Sequence, residues 1–542
     1  MFTPLAELTL WAWICLAGYL SCAALLSIYG VHRLALIALY FWHRDRADVP
    51  TIEIDDNEAP QVLVQLPIFN ERHVAERLID SIAALNWPRE KMLVQVLDDS
   101  TDSSSRIIEL ACDRHQAAGL RIEHIRRSSR EGFKAGALAN GLSADSTKTP
   151  LVAIFDADFL PRADFLKRTV PALLARPEIA MVQSRWEHLN RNEKLITKLQ
   201  AILLDGHFVI EHSARFRSGR FFNFNGTAGL WRREAIEAGG GWRGDTLCED
   251  LDLSYRTQLA GWDFVYLQDL GVPSELPAEV CGFKTQQHRW AKGSIQTAVK
   301  LLPSIWASPI GMARKVEATF HLAANLAYPL MALLLLLLPL SLTTRMQLGS
   351  QWGLLIDLPI FICATINLVI FYAVAEVELR DGRWQRRLHL IPFVLALGAG
   401  LTINNSRAVW QALSGVRSPF VRTPKAGDAS SHGYSRSAGY QAWCEFAFAL
   451  YYLGAIAVAA AHSLWHALPF LALFTVGFGY VGIASLREAR SPSALTPSLA
   501  TPARPTEVQA AHMQATETRP EQATDLPDAA GSMPDRQKAA SY

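Results

Sequence analysis

The feature that most constrains this chain is where its apolar residues lie. Half of the 542 residues are hydrophobic, and they gather in long runs near both ends, which separates membrane segments from a soluble part. Residues 8 to 42 carry no charge except His32 and Arg33, a run well beyond the roughly 20 apolar residues a spanning helix needs. No basic stretch precedes it and no small-residue cleavage pattern comes after it, so residues 1–50 are expected to be an uncleaved anchor. Arg33, Arg44 and Arg46 sit on its C-terminal side. Because basic loops stay cytoplasmic, the chain beyond the anchor is expected in the cytoplasm.

Apolar density returns after about residue 315, near 318–342, 353–378, 388–404, 443–461 and 464–484. The segment 388–404 is short, contains Pro392 and two glycines, and runs into NNSRAVWQAL, the pattern of an amphipathic interfacial helix. Arg380, Arg383, Arg386 and Arg387 precede it, and Arg417, Arg422, Lys425 and Arg436 come after it. Both loops are therefore expected on the cytoplasmic side, which makes the segment re-entrant or surface-lying and gives five spans instead of six in a multi-pass protein of the cell or inner membrane. From about 488 to 542 the chain is rich in Pro, Ala, Thr, Ser and Gln, the composition of a disordered tail. Seven singly scattered cysteines with no C-x-x-C pair argue against a zinc site or a disulfide framework. A net charge of +1 argues against a nucleic-acid partner.

Between about 60 and 280 the character changes. QVLVQL (61–66), MLVQVL (92–97), RIEHI (121–125) and LVAIF (151–155) alternate with helix-like stretches, which predicts an α/β domain with a mostly parallel sheet. Ligands of such sheets bind beyond the carboxyl ends of the strands. The first run leads into Pro67, Asn70 and Glu71, and the second into Asp98 and Asp99. Each turn reads either as capping or as a ligand site. Adjacent carboxylates raise each other's pKa unless donors neutralise them, and a nucleoside's ribose hydroxyls and base could be those donors. The fourth run enters Asp156-Ala-Asp158. Strand alternation there would point both carboxylates to one side, where two hard oxygen ligands suit a divalent cation that also takes diphosphate oxygens.

EGFKAGALANGL places Lys134 between Gly132 and Gly136 at an expected helix start, either a surface lysine or a phosphate contact. In GDTLCEDLDLSYR, Thr246 and Glu249 fit a capping box. Asp250 falls in the first helical turn, where a carboxylate either complements the helix dipole or takes a proton as general base. In KTQQHRWAKGSIQ, Gln286, Arg289 and Trp290 read as an interfacial helix, or as an arginine gripping a diphosphate beside a tryptophan stacked on a sugar.

The ordered set Asp98-Asp99, Asp156-x-Asp158, Glu249-Asp250 and Gln286-x-x-Arg289-Trp290 resembles the family 2 glycosyltransferases with the Rossmann-like GT-A fold. The likeness is to their processive membrane branch, which includes cellulose, chitin and hyaluronan synthases. The wording VQLPIFNER, VQVLDDSTD, GFKAGAL and QQHRW looks closest to plant cellulose-synthase-like mannan and glucan synthases and their bacterial relatives. The resemblance implies a GT-A domain over 51–283, interfacial helices over 284–316 and an α-helical transmembrane bundle over 317–487.

It implies further that Glu71 and Asp98 or Asp99 hold the nucleoside, with Pro67 and Asn70 beside them. Lys134 and Arg289 would hold the diphosphate, and Asp156 and Asp158 the donor and its Mg2+ or Mn2+. Asp250 would be the catalytic base. Asn225, Gly226, Glu249, Gln286 and Trp290 would border the acceptor. FVRTPK, within 413–440, resembles a gating loop through Phe420, Thr423 and Lys425, with Arg422 where valine is frequent; Cys248 stands where threonine often precedes the Glu-Asp pair. The implied activity is inverting transfer of a hexose from a nucleotide-sugar, UDP-glucose ahead of GDP-mannose, to a growing β-linked polysaccharide coupled to export. Two alternatives are single transfer to a lipid, as in ceramide glucosyltransferases, and a non-catalytic transport or scaffold protein.

Overall fold

A computed structural model of the chain describes residues 9–46, 52–348, 362–416 and 439–490. Its soluble part is built on a seven-stranded sheet: β1 Val62–Ile68, β2 Met92–Asp98, β3 Arg121–Arg126, β4 Leu151–Ile154, β5 Ile179–His188, β6 Gly229–Arg232 and β7 Asp263–Ser274. The order across the sheet is β3-β2-β1-β4-β6-β5-β7. β3, β2, β1 and β4 pair in parallel, β6 runs antiparallel to both neighbours, and β5 and β7 are parallel again. The four expected strands are present and mutually parallel. The expectation of a mostly parallel sheet fails only at β6, a four-residue strand too short to stand out in the sequence.

The inner parallel strands β1, β2 and β4 are covered on both faces, so they read as near-continuous apolar runs, while the edge strand β3 is largely exposed. Val62, Val64 and Leu66 point into one core with Ile79, Phe165 and Val170, while Leu63, Leu97, Val152 and Ile154 point into the other with Leu138 and Trp231. Each such side chain, fully buried, stabilises the fold by roughly 1.5–3 kcal/mol. Pro67 sits in β1, where a missing N–H would normally disrupt a ladder. Here β4 has already ended: its last partner is Ile154, opposite Gln65. Pro67 therefore lies beyond that ladder, and the chain is free to turn toward Glu71.

Four helical stretches among the described residues are long and apolar enough to cross a membrane: Leu10–Trp42, Met312–Leu342, Tyr440–Ala461 and Trp465–Glu488. The segment expected to be re-entrant or surface-lying forms two helices, Gln385–Gly400 and Thr402–Leu413, bent by 45° at their junction. Of the expected span 353–378, the described residues begin at Ile362, and Asn367–Glu378 is helical. The candidate gating residues Phe420, Thr423 and Lys425 lie outside the described residues, as does nearly all of the expected tail.

Candidate active site

Three neighbouring parallel strands, β2, β1 and β4, release their chains at one edge of the sheet, and the adjoining helices close a cavity of about 180 Å³ over it. Pro67 and Glu71 from the β1 turn, Asp99 from the β2 turn, and Asp156 and Asp158 after β4 line this cavity. So do Lys134, Asn225, Gly226, Glu249, Asp250, Gln286, Arg289 and Trp290. Residues spread over more than 220 positions of sequence thus meet in one space. Gln286, Arg289 and Trp290 arrive together because they sit three and four residues apart on the helix Val280–Ala307, on one face.

Two predicted residues are not among the lining. Asn70, at a left-handed φ of 56°, instead ties two turns together: its N–H donates to Ser100 Oγ at 2.9 Å, and its side-chain oxygen accepts from Thr101 N–H at 2.8 Å. Asp98 is buried and already supplied with donors. Ser100 N–H reaches it at 2.8 Å, Ser105 Oγ at 2.6 Å and His124 Nε2 at 2.9 Å. Burial alone would raise its pKa, but these hydrogen bonds outweigh burial and hold it down to about 2. Asp99 receives both nitrogens of an arginine fork, Arg127 Nε at 2.7 Å and Nη2 at 2.6 Å. The charge problem of the adjacent carboxylates is therefore solved by the chain's own side chains.

The Asp156-Ala157-Asp158 tripeptide lies in a turn beyond Ile154, where β4 ends. The turn, not the strand pleat, brings both carboxylates to the cavity. Opposite them, Lys134 enters from the first turn of the helix Phe133–Ala144, whose N-cap is Gly132 at φ 69°. Its ammonium pairs with Asp156 and donates to Gly226 O at 2.8 Å. Burial would weaken the charged lysine, but Asp156, Glu249 and Asp250 more than restore it and raise its pKa.

The capping box expected of Thr246 and Glu249 does not form. The helix starts at Glu249 with Cys248 as N-cap, and the buried Thr246 hydroxyl has no hydrogen-bond partner among the described residues. Glu249 is thereby left without a capping duty and faces the cavity. Its pKa is raised by burial, against the pull of Lys134 and Arg289. Burial first, and repulsion from Glu249 second, push Asp250 up to about 7. The local contact on its carboxylate is the Leu251 N–H at 2.8 Å. Gly226, at φ +82°, passes so near that a Cβ there would meet Asp250 Oδ2 at 3.0 Å and Lys134 Nζ at 3.4 Å.

The two carboxylates of the tripeptide fit a divalent cation that arrives with a diphosphate. Asp158 is buried at the cavity wall, and among the described residues no group of three or more His, Cys, Asp or Glu side chains is arranged to hold a metal by itself. Such a donor set suits an ion that takes its remaining oxygens from substrate and water.

Several lining residues were not expected from the sequence: Arg130, Trp186, Cys248 and Glu275. Arg130 stacks over the Phe69 ring at 3.2 Å from its centroid and lies 3.8 Å from Asp99. The run of Arg126, Arg127 and Arg130 before the glycine-flanked Lys134 was the available signal. Trp186 lies 6.4 Å from Trp290, centroid to centroid, but nothing in the β5 sequence distinguishes it from a core tryptophan.

An acidic cavity faced by cations at the carboxyl edge of a mixed sheet, in a chain with several apolar spanning-length helices, is the arrangement of a GT-A-like transferase in a membrane protein. The model of the family described as "Glycosyltransferase like family 2" matches residues 60–293. The chain is 38% identical over 366 residues to the probable glucomannan 4-beta-mannosyltransferase 7 of Oryza sativa subsp. japonica, covering 66% of this chain and 60% of that protein. It is 35% identical over 395 residues to glucomannan 4-beta-mannosyltransferase 9 of Arabidopsis thaliana, covering 71% of each. Among solved structures, mannosyltransferase PcManGT from Pyrobaculum calidifontis, in complex with GDP-Man and Mn2+, is similar at 19% identity and TM-score 0.48, over 74% of this chain and 100% of that one. The chain belongs to glycosyltransferase family 2.

Proposed function

We propose that this protein is a membrane-embedded inverting mannosyltransferase that extends a β-linked glycan from GDP-mannose. The observation that carries the reading is the convergence of Asp250, Lys134, Asp156, Asp158, Arg289 and Trp290 on one cavity. The choice of sugar reverses the expectation of UDP-glucose, because the rice and Arabidopsis relatives are named as glucomannan 4-beta-mannosyltransferases.

In this mechanism Asp99 and Glu71 border the nucleoside, and Lys134 and Arg289 hold the diphosphate. Mg2+ or Mn2+, held by Asp156 and Asp158, would neutralise diphosphate charge when bound. Asp250 removes the proton from an acceptor hydroxyl, and the freed oxygen electron pair attacks the anomeric carbon from the face opposite the diphosphate. The new carbon–oxygen bond forms as the sugar–phosphate bond breaks, so an α-linked donor gives a β-linkage and the nucleoside diphosphate leaves with the electron pair. A pKa near 7 suits Asp250 to this task, since a general base works best near the operating pH. Trp290 and Gly226 border the acceptor.

Cytoplasmic placement of the domain is supported by the basic flank of the first span. Passage of the glycan across the membrane is supported by the position of the later apolar spanning-length helices, which begin soon after Trp290 in the chain. The test is incorporation of labelled sugar by purified protein in lipid vesicles, offered GDP-mannose or UDP-glucose with either metal, and analysed by product length and location. A long β-linked mannan inside the vesicles supports every part of the reading. A glucan overturns the donor, a single sugar on lipid overturns polymerisation, and no turnover overturns catalysis.

A further inference from the structure

Neither His207 nor His212 lines the catalytic cavity, yet both grip a residue that does. His212 Nε2 lies 2.6 Å from Asn225 Oδ1, and Asn225 Nδ2 lies 3.0 Å from His207 Nε2. On an α-helix these histidines, five residues apart, would stand about 140° apart around the axis. The stretch Gly206–His212 is instead π-helical, and i→i+5 winding returns the fifth residue toward the same face. The rings therefore come within 4.3 Å, centroid to centroid, and close on the amide from two directions.

The partners dictate the protonation pattern. His207 Nδ1 faces the Glu211 carboxylate at 3.3 Å, and a carboxylate only accepts. Nδ1 therefore carries the hydrogen and Nε2 is left to accept from the Asn225 amide. That fixes which end of the amide is nitrogen, so its oxygen faces His212, whose Nε2 donates. Burial first depresses both pKa values, that of His212 to about 3, and the Arg215 guanidinium adds to the effect on each, in keeping with two neutral rings. The adjoining residue, Gly226, supplies the carbonyl that receives Lys134 Nζ at 2.8 Å. Glu211 continues the chain of contacts outward, to Arg215 at 3.1 Å and to Arg33 on the first membrane helix.

We propose that His207 and His212 are positioning residues for sugar transfer: wound onto one face by the π-turn, they clamp Asn225 so that Gly226 holds Lys134 and leaves space beside Asp250. Through Glu211 and Arg33 the same clamp ties the reacting groups to the first membrane helix. Asn225, with both ends of its amide engaged, then acts on the acceptor side through Gly226 instead of by its own side chain. The proposal rests on the transferase reading of the site.

The test is a double-mutant cycle in reconstituted protein on His207, whose side chain is a quarter exposed. His207→Phe keeps the ring and removes both nitrogens; Asn225→Ala removes the clamped amide and leaves the rings packed. Each is expected to lower kcat by about tenfold or more, with donor KM within about threefold. The double variant is expected to be no worse than the poorer single one, because coupled groups are non-additive. His207→Gln, which can still present an acceptor to Asn225, is expected to recover most of the rate. Effects that multiply, or a His207→Phe protein as active as wild type, overturn the clamp. If His207→Phe does not fold, the Gln and Asn225→Ala proteins decide: His207→Gln falling as far as Asn225→Ala overturns it. A wild-type protein that transfers no sugar fails the transferase reading itself, a separate result.

Discussion

Two carboxylates of this domain, one buried beneath a turn and one in the wall of the cavity, behave in opposite ways. Asp98, at the end of β2, is held down to about 2, while Asp250, at the start of the helix Glu249–Leu259, is pushed up to about 7. Burial raises both and is the largest cause of the rise at Asp250, while at Asp98 a set of hydrogen bonds outweighs it. Asp98 has a serine N–H, a serine hydroxyl and a histidine pointed at it. Asp250 has one neighbouring N–H and a second carboxylate beside it, and the pull of Lys134, shared with Asp156 and Glu249, does not offset the rise. A carboxylate whose charge is satisfied locally holds a turn in place; one whose charge is left expensive can take a proton from a substrate.

The largest effect that sharpens this contrast comes from Asp250→Asn. It should lower kcat by about a thousandfold while leaving donor binding and melting temperature at wild-type levels, since it relieves repulsion with Glu249. Isothermal titration with GDP-mannose beside a rate assay measures both. Transfer within tenfold of wild type would remove Asp250 as the base. Next in size is Gly226→Ala. A left-handed φ and a Cβ 3.0 Å from Asp250 Oδ2 should cost roughly 30-fold in kcat from displacement of the reacting groups; initial rates at saturating donor would show it.

Smaller in its effect on catalysis is Asp98→Asn, which breaks the comparison from the other side. Its pKa is depressed, so the stability it contributes is present above the unfolded value of 3.8 and is lost as pH falls toward 2. At pH 7 the substitution should destabilise the folded protein by about 2 kcal/mol, seen as a lower melting temperature. The rate per folded molecule should stay within about fivefold of wild type.

In the parallel half of the sheet, β1, β2 and β4 were legible in the sequence because they are buried on both faces and read as apolar runs ending in polar turns, and the half-exposed edge strand β3 by its alternating Ile122 and neighbouring charges. β7 was hidden by Gly271 and Pro273 near its end, and β6 by its length of four residues. At the site, residue types were legible but local geometry was not. Asp156 and Asp158 share the cavity through a turn, and Thr246 fits a capping pattern that the helix start at Glu249 bypasses. The His207–His212 pair was illegible for a different reason. An apolar run with an α period gives no sign of π winding, and without it the two rings fall on different faces.

The most direct test is the pH dependence of kcat/KM for mannosyl transfer by wild-type protein, measured beside Asp98→Asn. Because Asp250 must be deprotonated to act and its pKa is raised, activity should fall tenfold per pH unit below about 7 and level off above it. Asp98→Asn should trace the same curve. An acid limb near pH 4, or a flat profile between pH 5 and 8, would contradict a raised Asp250 as the base.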